Sequence, residues 1–187
     1  MDYDPLQSTK IKILALMKQE IAAIRQYLVI QKLAEQKLAE QKLAEQNNET
    51  DGFHLVTTKQ QTQVSNTLTE FSDKAGAVFG GIDIYTGKAV SRIGYSGGHT
   101  HKQKQKMLNL RDSLKINKNK NTFCAEEKII ATSPFIKFYY ACPFYIDNWT
   151  LYNLEPCGLI ENKVPQSGCK LLLHGKKIQY LTMEKIG

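Results

Sequence analysis

Cys124-Ala125-Glu126 sets a thiol two residues ahead of a carboxylic acid, where an apolar-patterned run to Ile130 begins. Further along, Glu155-Pro156-Cys157-Gly158 puts a second thiol after an aromatic, strand-like stretch. Thiolates are favoured zinc ligands, and a carboxylate beside a zinc site that does not bind the metal can move protons to and from an activated water. At the start of a helix, residues i and i+2 project to different sides of the turn. Cys124 can therefore hold a metal while Glu126 faces the water. The positive end of a helix dipole favours a thiolate, so Cys157 is also expected at a helix start, with Pro156 opening that helix.

These residues need elements to position them. From Thr9 to about Gln46 the chain has neither Gly nor Pro. Leu14, Met17, Ile21, Ile24 and Leu28 fall at steps of three and four, a single apolar stripe that fits an oligomerisation or partner helix of coiled-coil type. Gln-Lys-Leu-Ala-Glu then repeats three times from Gln31 to Glu45. Five residues turn a helix by about 500°, so Leu33, Leu38 and Leu43 circle the axis and the repeat reads as an exposed spacer. The polar cluster from Asn47 to Gly52 marks a boundary, dividing the chain into 1–50 and 51–187. Val64 to Phe71 reads as a short helix. Ala77 to Tyr85 and Ala89 to Tyr95 read as a β-hairpin about Thr86-Gly87-Lys88. Lys102 to Leu114 is expected to be helical, as is a segment capped by Asn121 or Thr122 and stopped at Ser133-Pro134. Phe138 to Tyr145 and Thr150 to Leu154 are strand-like, and Leu171 to Leu173 with Ile178 to Leu181 form an expected closing hairpin.

The order of hairpin, helix with Cys124-Ala125-Glu126, aromatic strand and Pro156-Cys157 resembles the core of the cytidine deaminase-like superfamily. Within it, the chain resembles the deaminase domains of bacterial polymorphic toxins. The resemblance rests also on Asp83-Ile84-Tyr85-Thr86-Gly87-Lys88 and Gly94-Tyr95-Ser96-Gly97, and spans roughly residues 75–175. It implies an α/β three-layer sandwich with a central mixed sheet, here preceded by a long N-terminal helix. It implies a zinc-dependent deaminase of an amino-bearing nucleobase, cytosine-type favoured, with Cys124 and Cys157 as zinc ligands and Glu126 as the proton shuttle. The family pattern continues Pro-Cys-x-x-Cys, but Ile160 stands one turn after Cys157. Catalytic zinc normally takes three protein ligands. Cys169 is the first candidate for the third, because Gly158 to Gly168 reads as a loop inserted between two ligands; Cys142 and His174 follow it. Three thiolates should leave zinc a milder acid than two thiolates and an imidazole, which places more weight on Glu126.

Each of these residues also has a purely structural use. Cys124 suits a small buried position at a helix start. Glu126 and Glu127 suit a first turn answering the helix dipole. Cys142 suits a strand core, and His99 and His101 suit a loop. Phe123, Tyr139 and Tyr140 are core aromatics or a stacking surface for a base.

The net charge is +7. Lys102, Lys104, Lys106, Arg111, Lys115, Lys118 and Lys120 stand against a single Asp112, nearly the whole excess on one segment. Such a patch attracts a polyanion in a salt-dependent way, which favours nucleic acid over a free nucleoside or nucleotide as substrate; a solvated helix face is the plain alternative. Lys102, Lys104, Lys106, Arg111 and Lys115 are the expected contacts. The four cysteines are spread, with no C-x-x-C pair, which fits metal ligation or buried thiols better than a disulfide framework. No apolar run approaches a membrane span, and the first residues lack a secretory pattern. A soluble, cytoplasmic protein is the expectation, with export as an effector by a route that reads another signal left open. A catalytically inactive deaminase fold used as a binding module, and a helical scaffold, are the competing classes.

Overall fold

Good helix formers without an internal glycine give one 44-residue helix, α1 (Pro5–Asn48). The computed structural model describes residues 5–48, 73–118 and 122–187. The helix read at Val64 to Phe71, most of the boundary cluster and Lys120 lie outside them. After α1 come β1 (Asp73–Asp83), β2 (Ala89–Tyr95), α2 (His101–Leu114) and α3 (Ala125–Thr132). They are followed by β3 (Ile136–Asp147), β4 (Thr150–Asn153), the two-residue strands β5 (Ile160–Glu161) and β6 (Val164–Pro165), α4 (Gly168–Gly175), β7 (Gln179–Tyr180) and α5 (Met183–Ile186).

The expected hairpin forms between β1 and β2, in register from Gly76 opposite Tyr95 to Ile82 opposite Ala89. Its turn is fixed by Asp83, whose carboxylate accepts the backbone N–H groups of Tyr85 and Thr86 at 2.9 Å each. The other edge of β1 pairs antiparallel with β3, and β4 folds back on the end of β3. The order is β2-β1-β3-β4, and β7 runs parallel to β3, with Tyr140 opposite Gln179. The sheet is therefore mixed, and the chain is α/β.

Alternation along the strands divides the core into two layers. On one face, Val78, Cys142, Phe144 and Ile146 meet Ile13, Met17, Ile21, Ile24 and Leu28 of α1. On the other, Ala77, Phe79, Phe138 and Ala141 meet Ala125 and Ile129 of α3, Leu173 of α4 and Ile178. Helices thus cover both faces of the sheet. The stripe on α1 begins at Ile13, with Leu14 at its margin. It is covered by the chain's own sheet. At Gly80 the approach of α1 is so close that a Cβ would sit 2.8 Å from the Met17 Cγ. The repeat leaves Leu33 and Leu43 exposed, as the five-residue rotation requires, while Glu35 accepts the Trp149 indole N–H.

Three local expectations are corrected. Pro156 does not open a helix; the chain bends at Cys157-Gly158 instead. Leu171 to Leu173 lie in α4, and Ile178 to Leu181 contains a strand that joins β3 in place of a closing hairpin. A short apolar run fits a strand or a buried helix equally well from periodicity alone. The N-cap of α3 is Cys124 itself, with φ −94° and ψ 159°.

Candidate metal and proton-transfer site

Cys124 stands at the mouth of α3, and Glu127, three residues on, reaches back to accept its backbone N–H at 3.1 Å. That bond fixes the turn at the start of the helix. Cys157 arrives from the end of the aromatic strand region, and Cys169 from the first turn of α4. The stretch between them is a closed loop containing the β5–β6 hairpin. Its neck is tight: a Cβ on Gly158 would overlap the Ser167 carbonyl oxygen, and one on Gly168 would lie 2.6 Å from the Cys157 carbonyl oxygen. Both glycines have positive φ, +124° and +63°. Lys170 N–H donates to the Cys157 carbonyl at 2.9 Å, and Leu159 N–H to Ser167 Oγ at 3.0 Å. The loop thereby delivers Cys169 beside Cys157, as the inserted-loop reading expected.

The three sulfurs of Cys124, Cys157 and Cys169 lie within 4.8 Å of one another, and those of Cys124 and Cys157 are 3.5 Å apart. Zinc–thiolate bonds of about 2.3 Å in a tetrahedron put sulfurs roughly 3.8 Å apart, so this spacing fits a divalent ion with little adjustment. Cys169 is buried, Cys124 half-buried and Cys157 exposed, which leaves one side of the trio open to solvent. No other group of three His, Cys, Asp or Glu among the described residues has such spacing. Cys142 packs in the core on the α1 face, and His174 is exposed near the end of α4; neither joins the cluster.

The sulfurs share protons unequally. Hydrogen bonding from Cys124, then from Cys169, holds the Cys157 thiol well below the ordinary range, and the Cys169 N–H adds to it at 3.4 Å. The same contact with Cys157 pushes Cys124 up to about 11, and contacts with Cys124 and Cys157 together with burial raise Cys169. One thiolate is thus stabilised by two thiols. A metal ion substitutes for those protons when such ligands bind it.

Glu126 is 5% exposed. Burial, followed by the negative charge on Cys157, raises its carboxyl to about 7. Glu127 beside it behaves oppositely. Burial works against its charge, but Arg111 overrides this with two hydrogen bonds, Nε at 2.7 Å and an Nη at 2.9 Å, and the carboxyl is held below its usual range. Arg111 also donates to the Thr122 carbonyl and lies over the Phe123 ring at 4.7 Å. Lys118 completes the group, with its ammonium 3.2 Å from Glu127 and 2.8 Å from the Cys124 sulfur.

Of the basic residues expected to meet a polyanion, Lys102, Lys104, Lys106 and Lys115 are exposed on or just after α2. Arg111 is not among them at the surface. It points inward with 4% of its side chain exposed, paired to a carboxylate that is 1% exposed. The signal was present in the sequence, since residues i and i+4 share a helix face and Arg111 follows Met107 at that step. Lys118 and Glu127 were read as surface charge and dipole partner; the structure turns Lys118 to the Cys124 sulfur and Glu127 to the Cys124 backbone N–H, Lys118 and Arg111. Phe123 meets His99 edge-on at 5.6 Å, while Tyr139 and Tyr140 pack against the α1-side core. No helix among the described residues is long and apolar enough to cross a membrane. The chain matches no protein-family model, no curated protein and no solved structure.

Proposed function

We propose that this protein is a zinc-dependent deaminase that converts an amino-bearing nucleobase, cytosine-type favoured, to its keto form. The observation behind this reading is the convergence of Cys124, Cys157 and Cys169, far apart in the chain, next to a buried carboxyl two residues after the first of them. Cys124, Cys157 and Cys169 would hold the zinc. Bound there, zinc supplies Lewis acidity towards water.

Glu126 handles the protons. A carboxyl raised to about 7 is divided between its acid and base forms near neutrality, where one group can both accept and donate. Deamination needs both: the attacking water gives up two protons in turn, of which one is delivered to the ring nitrogen and the other departs with the amino group as ammonia. Burial of Glu126 keeps bulk water from competing for that exchange. The parallel placement of β7 beside β3, with α4 between them in the chain, supports the cytidine deaminase-like reading of the sheet. It puts one sulfur at the start of each of the two helices on that face.

The exposed lysines 102, 104, 106 and 115 favour a substrate base carried in nucleic acid, presented unpaired or flipped from its stack. The test is base conversion. Single-stranded DNA, RNA and free nucleotides are incubated with the protein, then scored by sequencing, by mass and by ammonia release. The wild type converts one base in at least one substrate, and Glu126→Gln loses conversion by about 100-fold or more while retaining zinc. Undiminished conversion by Glu126→Gln would remove the assignment. Zinc retention with no conversion of any substrate by the wild type would leave the binding-module reading.

A further inference from the structure

Three thiolates around a divalent ion carry a net charge of −1. The Arg111–Glu127 pair behind them is internally neutral. Among the described residues, the other cation touching the group is Lys118, whose ammonium lies 2.8 Å from the Cys124 sulfur, 3.2 Å from Glu127 Oε2 and 4.0 Å from the Cys169 sulfur. Its side chain is 11% exposed, an unusual position for a lysine unless its charge is answered.

We infer that Lys118 is a positioning residue of the metal centre: its ammonium donates a hydrogen bond to the Cys124 sulfur and balances the charge of the three-thiolate set. The inference rests on the metal-centre reading above.

The ammonium reaches the Cys124 and Cys169 sulfurs on one hand and Glu127 on the other. Its two shortest contacts are one sulfur and one carboxylate. Glu127 in turn bonds both Lys118 and the Cys124 backbone N–H through the same oxygen, Oε2. Lysine, carboxylate and ligand backbone are therefore linked at one atom, and the lysine's direction is set by the turn that sets the ligand. A donor hydrogen-bonded to a thiolate draws electron density from the sulfur. The metal then receives less charge from Cys124 and remains a stronger acid, offsetting the cost of lacking an imidazole ligand. Outer groups of this kind typically change metal affinity 10- to 100-fold when removed.

Cobalt(II) is the probe, because its sulfur-to-metal charge-transfer band reports electron density at the thiolates without any turnover. Zinc affinity is measured alongside by chelator competition at fixed pH, on the full chain. In Lys118→Met the band moves to lower energy and zinc affinity falls about 10- to 100-fold. Lys118→Arg, which restores a charged donor, returns both towards the wild type. Lys118→Gln reads the same two quantities with a neutral polar side chain, should the methionine variant not fold. An unmoved band with unchanged affinity in these neutral variants overturns the inference and leaves the metal site standing. A rise in affinity also overturns it, because the ammonium would then be competing for the metal's place. A wild type that binds neither cobalt nor zinc removes both this inference and the reading beneath it.

Discussion

At the scale of single residues, burial separates groups that look alike in the sequence. Glu126 and Glu127 are adjacent acids, yet the first has its carboxyl raised to about 7 by burial while the second is kept charged by Arg111. One is left able to exchange protons and the other is a fixed anchor. Among the cysteines, Cys142 is set apart in the same way. It is fully buried in β3, and burial pushes its thiol up to about 12. Its folded value lies above the ordinary one, so the stability it contributes is complete below about pH 9 and is lost progressively as pH rises from there through about 12. We predict that Cys142 stays unmodified by iodoacetamide from pH 7 to about 10 in the folded, metal-stripped protein, while the exposed Cys157 is alkylated. Peptide mass mapping reads this, and labelling of Cys142 at pH 8 would contradict it. The placement of Cys124 and Glu126 at a helix start was legible from their short spacing. Lys118 was not, since a lysine in a basic stretch faces solvent by default and only tertiary packing draws it inward, whereas the inward face of Arg111 could be read only from its four-residue step from Met107.

At the scale of elements, the loop from Gly158 to Gly168 decides whether the third sulfur reaches the site. Its two ends cross where only a hydrogen fits, and both backbones lie in the left-handed half of conformational space. An alanine at 158 brings overlap with the Ser167 carbonyl and backbone strain of about 1–3 kcal/mol. Gly158→Ala is therefore expected to lower the melting temperature and reduce bound zinc below one per chain. Normal zinc content and stability in that variant would show that the neck does not hold the cluster together. The loop was readable from the distance between Cys157 and Cys169 and its flanking glycines. The helix at Pro156 was not borne out, because Cys157 is held by the bend and by the Lys170 N–H on its carbonyl instead of by helical turns. The apolar run Leu171-Leu172-Leu173 is too short for its periodicity to tell strand from helix.

At the scale of the whole molecule, α1 is one layer of the fold over residues 13–28 and an exposed rod beyond them. The stripe was visible in the sequence, but its partner was not, because periodicity identifies an apolar face without identifying what covers it. Here that partner is the sheet, which approaches closely at Gly80. Met17→Ala should destabilise the protein by about 2–5 kcal/mol, as for a large side chain removed from a packed core. Leu43→Ala should stay within about 0.5 kcal/mol. Denaturant midpoints of the two variants check this, and equal effects would mean that α1 is not a layer of the core. The alternation of hairpin, helix and aromatic strand gave the α/β character correctly. The parallel β7 was missed because two residues are too few to show a pattern.

The account rests on Cys124, Cys157 and Cys169 acting as one ligand set. Elemental analysis of zinc per chain, in the wild type beside Cys124→Ala, Cys157→Ala, Cys169→Ala and Cys142→Ala, tests it most directly. One zinc is expected in the wild type and in Cys142→Ala, and substantially less in each of the other three. Zinc absent from the wild type, or retained in full by any of those three variants, would contradict it.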